Sequence, residues 1–257
     1  MYIVINPNNC SGMGSYIWQA LRCIYSFPNY KYYILFTNCL YTDSSEKNID
    51  NPFEYYFVQP HPKPKRSEID KIVSLIDTPE SEYRDVFMLN PTVEDIQQKR
   101  NEYNSIIQSY LQLTQEIKNK INDFYQREMK DQRVLGVHIR GTDHPDKKEN
   151  EQIIATLDNI ANDYEKIFIA TDEQERLNFF KHRYGNKVIY YNSLRSETNG
   201  ALHTNPRLNS DQRRRIGEEV IIESYLLSKC NFLGLATNSN INYLARAINP
   251  TVQYTML

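Results

Sequence analysis

The most constraining feature of this chain is a regular alternation of short apolar runs and helical segments after residue 133. Apolar runs lie at Val134–Ile139, Ile167–Ala170 and Asn231–Leu235, and stretches with helical spacing separate them. Runs this short fit buried strands, and parallel strands need crossovers of about this length. The pattern therefore predicts a parallel sheet with helices on both faces, which is an α/β fold.

The beginning of the chain follows the same plan. Tyr2–Ile5 has the composition of a strand, Tyr16–Phe27 has apolar residues at helical spacing, and Lys31–Thr37 predicts a second strand. Further along, Phe53–Val58 predicts an aromatic strand, and a helix is expected from Ser67 to about Ile76. A strand–loop–helix–strand start is typical of an α/β domain.

Helical spacing then continues from about residue 92 to 130, with one expected break. The length of 257 residues allows one large or two small domains. We expect two Rossmann-like lobes with parallel sheets and a cleft between them. The N-terminal lobe is assigned to residues 1–125, including the helical middle segment, and the C-terminal lobe to residues 126–257.

Bulk properties exclude several classes of protein. The formal net charge of -2 argues against a protein that coats nucleic acid. No apolar run approaches the roughly 20 residues of a membrane-spanning helix, and no signal peptide opens the sequence. The four cysteines form no C-x-x-C pair, so free thiols in a reducing compartment are expected. We expect a cytoplasmic protein without a transmembrane segment.

The segment His138-Ile-Arg-Gly-Thr-Asp143 closes the first strand of the regular region. Side chains alternate along a strand, so His138 and Arg140 point the same way. Ligands of open α/β sheets bind at the carboxyl ends of strands. An arginine in that position suits a phosphate, because its planar fork pairs with two oxygens and stays charged. A local ion pair with Asp143 is the structural alternative.

Four segments, in order, resemble the GDP-fucose-dependent fucosyltransferases of the nodulation-protein and alpha-1,6-fucosyltransferase type. The resemblance is strong over roughly residues 115–250 and weak in the first lobe. It implies a GT-B-like fold and inverting transfer of fucose from GDP-fucose to a glycan or protein hydroxyl, without a metal or other cofactor. The four segments are Gly12-Met-Gly14, His138–Asp143, Ile167–Glu173 and Glu223–Asn240.

The resemblance also implies roles for individual residues. Arg140 matches the arginine that holds the β-phosphate, and His138 matches the residue that contacts guanine. Glu223 matches the acidic residue that binds guanine in these enzymes, which is more often aspartate. A carboxylate accepts both N–H groups of guanine, which adenine does not offer. The structural alternatives are a neutral histidine inside the sheet and a glutamate on the exposed side of its helix.

The remaining donor-site predictions lie at strand ends. Ser239 matches a phosphate-contacting serine, and Asn238 and Asn240 flank it where a final helix begins; helix amino ends suit a diphosphate. An ordinary N-cap is the alternative for Ser239. Asp172 and Asp143 are also assigned to the GDP-fucose site, with a helix cap as the alternative for Asp172.

The first lobe contributes Gly12 and Gly14, which we assign to a loop facing the cleft. The related enzymes often carry a second arginine where this chain has Gly141. The run Arg213–Arg215 is a candidate replacement, although such a run is usually a solvated face. No D-x-D motif is present in the sequence, so no dedicated metal–diphosphate site is expected.

An inverting transfer needs a base for the acceptor hydroxyl. Related enzymes have a glutamate a few residues past Thr-Asp. The residue at the same distance past Thr142-Asp143 in this chain is Lys148. Glu149 follows it, so Glu149 is the candidate base. Asp146 and a first-lobe residue are the alternatives.

Three other functions stay open at this point. One is a GDP-sugar binding protein with weak or no transfer activity, and another is a transferase for a different GDP-sugar. A metallohydrolase with His138, Asp143 and His144 as ligands belongs to another class, but no second ligand pair supports it.

Overall fold

The computed structural model describes residues 1–7, 12–36, 41, 51–74, 93–142, 147–198 and 200–257. The element order is that of two α/β units joined by helices.

The first unit contains a three-stranded parallel sheet in the order β2-β1-β3. The predicted strand–helix–strand start is confirmed. Apolar side chains of α1 cover this sheet, including Ile17 and Leu21, which are almost fully buried. The elements are β1 (Tyr2–Ile5), α1 (Met13–Ser26), β2 (Lys31–Ile34) and β3 (Ile69–Val73).

Two predictions for this unit are wrong. The segment predicted as an aromatic strand begins with a 3-10 turn, Pro52–Tyr55, because Pro52 fixes φ and Asn51 accepts a hydrogen bond from the backbone of Phe53. The segment predicted as a helix from Ser67 is a 3-10 turn followed by β3, which pairs with β1. Pairing with a buried strand outweighs the weak local helix signal there.

The middle helices are confirmed, with their break. They are α2 (Val93–Tyr110) and α3 (Gln115–Phe124), and α3 continues into a π-helical turn, Tyr125–Met129. The side chain of Asn104 on α2 donates to the carbonyls of Ala247 and Ile248 at 3.0 and 2.7 Å. The middle helices therefore pack against the end of the second unit.

The second unit contains a five-stranded parallel sheet in the order β6-β5-β4-β7-β8. The alternation predicted after residue 133 is confirmed, and β8 is an additional strand. All six residues of the central strand β4 are buried. The elements are β4 (Val134–Ile139), α4 (Asn150–Ala161), β5 (Lys166–Thr171), α5 (Gln174–Tyr184), β6 (Val188–Ile189), α6 (Ser210–Ser228), β7 (Phe232–Leu235), α7 (Asn240–Ile248) and β8 (Gln253–Met256).

One hydrophobic cluster joins the two units. It includes Ile3 and Ile5 of the first sheet and Leu233 and Leu235 of the second. The two sheets lie on either side of the predicted boundary at residues 125/126, and the division into domains stays a prediction. Of the cysteines, Cys23 and Cys230 are buried free thiols, as expected; the other two lie outside the described residues. In the described part of the chain, no helix is long and apolar enough to cross a membrane.

Candidate functional site

The strand order of the second sheet reverses between β4 and β7. The chain first builds β4, β5 and β6 toward one edge, and then returns to place β7 on the other side of β4. Beyond the carboxyl ends of two such strands, the following segments diverge and leave a crevice, where ligands of open α/β sheets bind. Arg140 follows β4 and Ser239 follows β7, so the fold brings both predicted residues to this switch point.

Arg140 is held in place by a carboxylate from the next strand. Its Nη1 lies 2.7 Å from Oδ2 of Asp172. Asp172 also accepts hydrogen bonds from the backbone N of Gly141 and the hydroxyl of Thr142, both at 2.9 Å. One carboxylate thus fixes three consecutive residues after β4. The Arg140 side chain is 25% exposed, so it is oriented and still accessible to a ligand.

Gly141 is required by close packing. A Cβ atom at this position would lie 1.9 Å from Oε2 of Glu173. Glu173 is buried and forms an ion pair with Arg176. Nη1 of Arg176 also donates to the carbonyl of Lys148 at 2.7 Å. The carboxylate of Glu173 therefore occupies the place that a side chain after Arg140 needs.

We expect Gly141→Ala to lower the free energy of unfolding by about 1–3 kcal/mol, the usual cost of overpacking a buried site. Glu173 cannot retreat freely, because its charge is buried against Arg176. Chemical denaturation followed by circular dichroism measures the change. Gly200→Ala is the matched control, since its added Cβ meets only Thr198 Oγ1 at 3.7 Å. Equal stability of the two variants would contradict the packing account.

His138 and Ser239 connect the ends of β4 and β7. The hydroxyl of Ser239 lies 3.3 Å from Nδ1 of His138, which is 2% exposed. Ser239 is also the N-cap of α7, where its Oγ accepts from the backbone N of Asn242 at 3.4 Å. The capping alternative is therefore confirmed, and the phosphate role of Ser239 stays a prediction.

The amino end of α1 lies against the amino end of α7. Gly12 is the N-cap of α1, and a Cβ at Gly14 would lie 3.1 Å from Cβ of Asn240. Nε1 of Trp18 donates to the carbonyl of Asn240 at 2.9 Å. Only a small residue permits this approach. Two helix ends with partial positive charge therefore meet beside the switch point.

Glu223 is buried rather than exposed, so its structural alternative is wrong. Its Oε1 accepts a hydrogen bond of 2.6 Å from the hydroxyl of Ser193, in the segment after β6. Burial raises the pKa of Glu223 to about 7. Arg195 and Ser193 favour the ionised form, whereas the charges of Glu219 and Asp172 disfavour it. A carboxylate that titrates near neutral pH at a strand-end site is a candidate functional group.

This raised pKa predicts a pH dependence of stability. The folded state holds the proton of Glu223 up to pH of about 7, while the unfolded value is 4.5. The contribution of Glu223 to the free energy of unfolding is therefore fully present below pH 4.5, and it is lost as the pH rises through about 7. At about 1.4 kcal/mol per pH unit, it amounts to about 3 kcal/mol.

Glu223→Gln removes this titration. We expect the unfolding free energy of the variant to rise relative to wild type by about 3 kcal/mol between pH 4.5 and 7. Urea denaturation at a series of pH values measures the difference. A difference that does not change with pH would show that another group dominates.

The candidate base lies at the start of a helix. Glu149 is the exposed N-cap of α4, and its backbone N donates to Oε1 of Gln152 at 2.9 Å. Lys148, at the offset of the base in related enzymes, donates through Nζ to the carbonyl of Leu257. Neither contact tests a role in proton transfer, so the assignment of Glu149 stays a prediction.

Asn238 is exposed and directly precedes the N-cap Ser239. Asp143, His144 and Asp146 lie outside the described residues. The N-cap of α5 is Glu173, so Asp172 does not have the capping role that was its alternative.

The arginine run contacts its own helix and two neighbouring segments in the part of the chain that the structure describes. Arg215 donates to Oε1 of Glu219 at 2.6 Å, and Arg213 donates to the carbonyl of Asn205 at 3.0 Å. The guanidinium of Arg214 lies over the ring of Tyr55 at 4.8 Å. These contacts are structural, which favours the interpretation of the run as a helix face.

The segment after β6 was not predicted to be part of the site. Leu194 donates its backbone N to Oε2 of Glu219 at 2.8 Å, and the backbone N of Ser196 donates to the carbonyl of Asp172 at 2.8 Å. The segment thereby links Glu219 and Glu223 on α6 to the Asp172 end of β5. Its position directly after a strand was the available signal, since the carboxyl ends of all five parallel strands share one edge.

A cavity of about 670 Å³ lies beside this segment, between α3 and α6. Phe124 and Tyr191 line it with their rings 5.7 Å apart, and Lys120 bridges Glu116 and Glu218 at 2.7 and 2.6 Å. Arg214 and Arg215 of the arginine run line this cavity, whereas the other predicted site residues that the structure describes do not. In the described ranges, no three His, Cys, Asp or Glu side chains are grouped to hold a metal ion.

Comparison with known proteins establishes the fold. No protein-family model and no curated protein sequence matches the chain. NodZ alpha-1,6-fucosyltransferase, known from Bradyrhizobium, was solved after soaking with GDP-fucose. It aligns with a TM-score of 0.58 and 17% identity over 97% of this chain and 92% of NodZ.

Two further solved structures align as well. A variant of Arabidopsis thaliana FUT1 in complex with GDP gives a TM-score of 0.60 at 9% identity, over 99% of this chain and 70% of that protein. POFUT1 in complex with GDP gives a TM-score of 0.53 at 8% identity, over 99% of this chain and 97% of POFUT1. The predicted α/β, GT-B-like class is confirmed: the chain has the fold of the GDP-fucose fucosyltransferases.

Proposed function

We propose that this protein is a glycosyltransferase that moves fucose from GDP-fucose to a hydroxyl of a glycan or protein acceptor. The transfer inverts the sugar carbon and needs no metal. A shared fold alone does not assign a function. The observation that carries the proposal is the position of Arg140, held by Asp172 at the switch point beside the amino end of α7.

The diphosphate of the donor is bound between Arg140 and the first turn of α7. The capped helix end supplies partial positive charge, and Arg140 supplies a full charge in a planar fork. The amino end of α1, with Gly14 against Asn240, adds a second helix end to the same region. These groups together perform the neutralisation that a metal ion provides in other transferases.

Guanine is read by Glu223 and His138. The ionised carboxylate of Glu223 accepts from the ring N–H and the amino group of guanine, and Ser193 holds its Oε1. His138 contributes from the end of β4, where its Nδ1 lies 3.3 Å from the hydroxyl of Ser239. The base and the phosphates are thus bound by neighbouring strand ends.

In the transfer step the acceptor oxygen attacks the anomeric carbon of fucose. The bond from that carbon to the β-phosphate oxygen breaks, and its electron pair leaves with GDP. Arg140 stabilises the negative charge that grows on the phosphate, so it binds the transition state more strongly than the ground state. The acceptor proton passes to a base, for which Glu149 is the candidate.

A GDP-sugar binding protein with weak transfer activity is the second candidate. This candidate is favoured by Lys148, which stands at the sequence position where related enzymes carry the catalytic glutamate. The Lys148 ammonium donates to the carbonyl of Leu257. A protonated lysine cannot accept the acceptor proton. A transferase for another GDP-sugar differs from the main proposal only in the donor.

Thermal shift measurements separate these candidates. With EDTA present, GDP and GDP-fucose should stabilise the protein more than ADP or UDP. Incubation of GDP-fucose with a panel of glycans should then release GDP faster than incubation without acceptor. Binding without acceptor-dependent release assigns the binding protein, and faster turnover of GDP-mannose assigns the other transferase. Stabilisation by ADP and UDP equal to that by GDP overturns all three.

A further inference from the structure

The segment after β6 folds around the side chain of Arg195. This side chain is 2% exposed. Its Nη1 donates to the carbonyl of Ser193 at 2.9 Å, and its Nη2 donates to the carbonyl of Tyr191 at 2.8 Å. The guanidinium also lies over the ring of Tyr190, 5.5 Å from its centroid. Arg195 therefore fixes the path of its own segment.

The same guanidinium faces Glu223. Nη2 of Arg195 lies 3.6 Å from Oε1 of Glu223, the oxygen that also accepts from the Ser193 hydroxyl. Leu194 anchors the segment to Glu219, one helical turn before Glu223 on α6. The segment thus presents a positive charge and a hydroxyl to one oxygen of Glu223, in a fixed geometry.

This arrangement decides the charge of Glu223. Burial disfavours the carboxylate, and the negative charges of Glu219 on α6 and Asp172 after β5 add to that effect. Arg195 is the positive group that opposes them, and Ser193 adds a hydrogen bond to the charged form. Removing the guanidinium leaves a buried carboxylate with two like charges nearby, so its proton is held more tightly.

We propose that Arg195 is a positioning residue for recognition of the nucleotide base. Its guanidinium favours the ionised form of Glu223 and holds the carboxylate in position. Through Glu223, Arg195 sets the preference for a base with two adjacent N–H donors. The inference rests on the proposed function, in which Glu223 receives the guanine edge. Arg195 itself contacts the segment and Glu223, and does not need to touch the nucleotide.

The test uses calorimetric titration of GDP, IDP and ADP into wild type, Arg195→Gln, Arg195→Met and Arg195→Lys at pH 6 to 8.5. IDP lacks the amino group of guanine, so the ratio of GDP to IDP affinity reports the second hydrogen bond. Arg183→Gln is the matched control, because Arg183 forms an exposed ion pair with Asp158 on the opposite face of the sheet.

The two neutral variants should shift the midpoint of the pH dependence of GDP binding upward by about one unit. This shift weakens binding about fivefold at pH 7 and about ninefold at pH 6. In these variants the ratio of GDP affinity to IDP affinity should fall toward one. Arg195→Lys keeps the charge and should retain most of the wild-type midpoint. Arg183→Gln should match wild type throughout. If one neutral variant does not fold, the other carries the test.

Equal weakening of GDP, IDP and ADP with an unchanged midpoint would overturn the inference, since Arg195 would then only shape its segment. An unchanged profile in both neutral variants would overturn it as well. Failure of the proposed function is measured separately, in the wild-type protein. If wild type does not bind GDP, or binds GDP no more tightly than it binds ADP, both the proposed function and the role of Arg195 are overturned.

Discussion

Arg140→Ala is expected to lower the turnover of GDP-fucose on the order of a thousandfold while the protein stays folded. Removal of one group that stabilises developing charge typically has this effect. Arg140 Nη1 is 2.7 Å from Asp172, and Asp172 keeps its hydrogen bonds from Gly141 and Thr142 when the guanidinium is gone. The segment after β4 should therefore keep its path, and the loss should appear mainly in kcat.

Release of GDP in the presence of acceptor measures this effect, with circular dichroism as the test of folding. Arg183→Ala is the matched control, since it removes an arginine whose side chain is 41% exposed and whose partner is Asp158. The control should retain wild-type turnover. Arg140→Lys should recover only part of the activity, because a lysine lacks the planar fork. Wild-type turnover in Arg140→Ala would remove Arg140 from the mechanism.

Glu223→Gln is expected to weaken GDP binding roughly a hundredfold at pH 8 and to abolish the preference for guanine over adenine. The carboxylate accepts from two N–H groups, whereas the amide offers one acceptor and sets a donor against a donor. The loss is therefore specific to the base. Affinity for ADP should change little.

Calorimetry with GDP, IDP and ADP checks this prediction. Glu218→Gln is the control on the same helix, because Glu218 pairs with Lys120 at the cavity between α3 and α6. The control should bind GDP like wild type. A loss that is equal for all three nucleotides would mean that Glu223 supports the fold and does not read the base.

The second lobe was predictable because its local and long-range signals agree. Each buried run after residue 133 is a strand, and each stretch between them is a helix or ends in one. The errors lie where local signals are weak. Ser67 begins a polar stretch that tertiary pairing turns into β3. Gln253–Met256 has only 4 residues, too short a run to be recognised, so β8 was not predicted.

The site was predictable only in part. The residues at the ends of β4 and β7 follow from the rule for strand ends, and the fold brings His138 and Ser239 within 3.3 Å. The ion-pair partner of Arg140 could not be predicted from the sequence. The local alternative, an ion pair with Asp143, lies outside the described residues, and the observed ion pair with Asp172 joins positions that follow adjacent strands. The burial of Glu223 also depends on a long polar segment whose path no periodicity reveals.

A crystal structure with GDP-fucose bound tests the central claim most directly. The β-phosphate should lie within hydrogen-bond distance of the Arg140 guanidinium and the first turn of α7, and the guanine edge should face Glu223. A nucleotide seated against the first sheet, or an Arg140 side chain turned away from the diphosphate, would contradict the account.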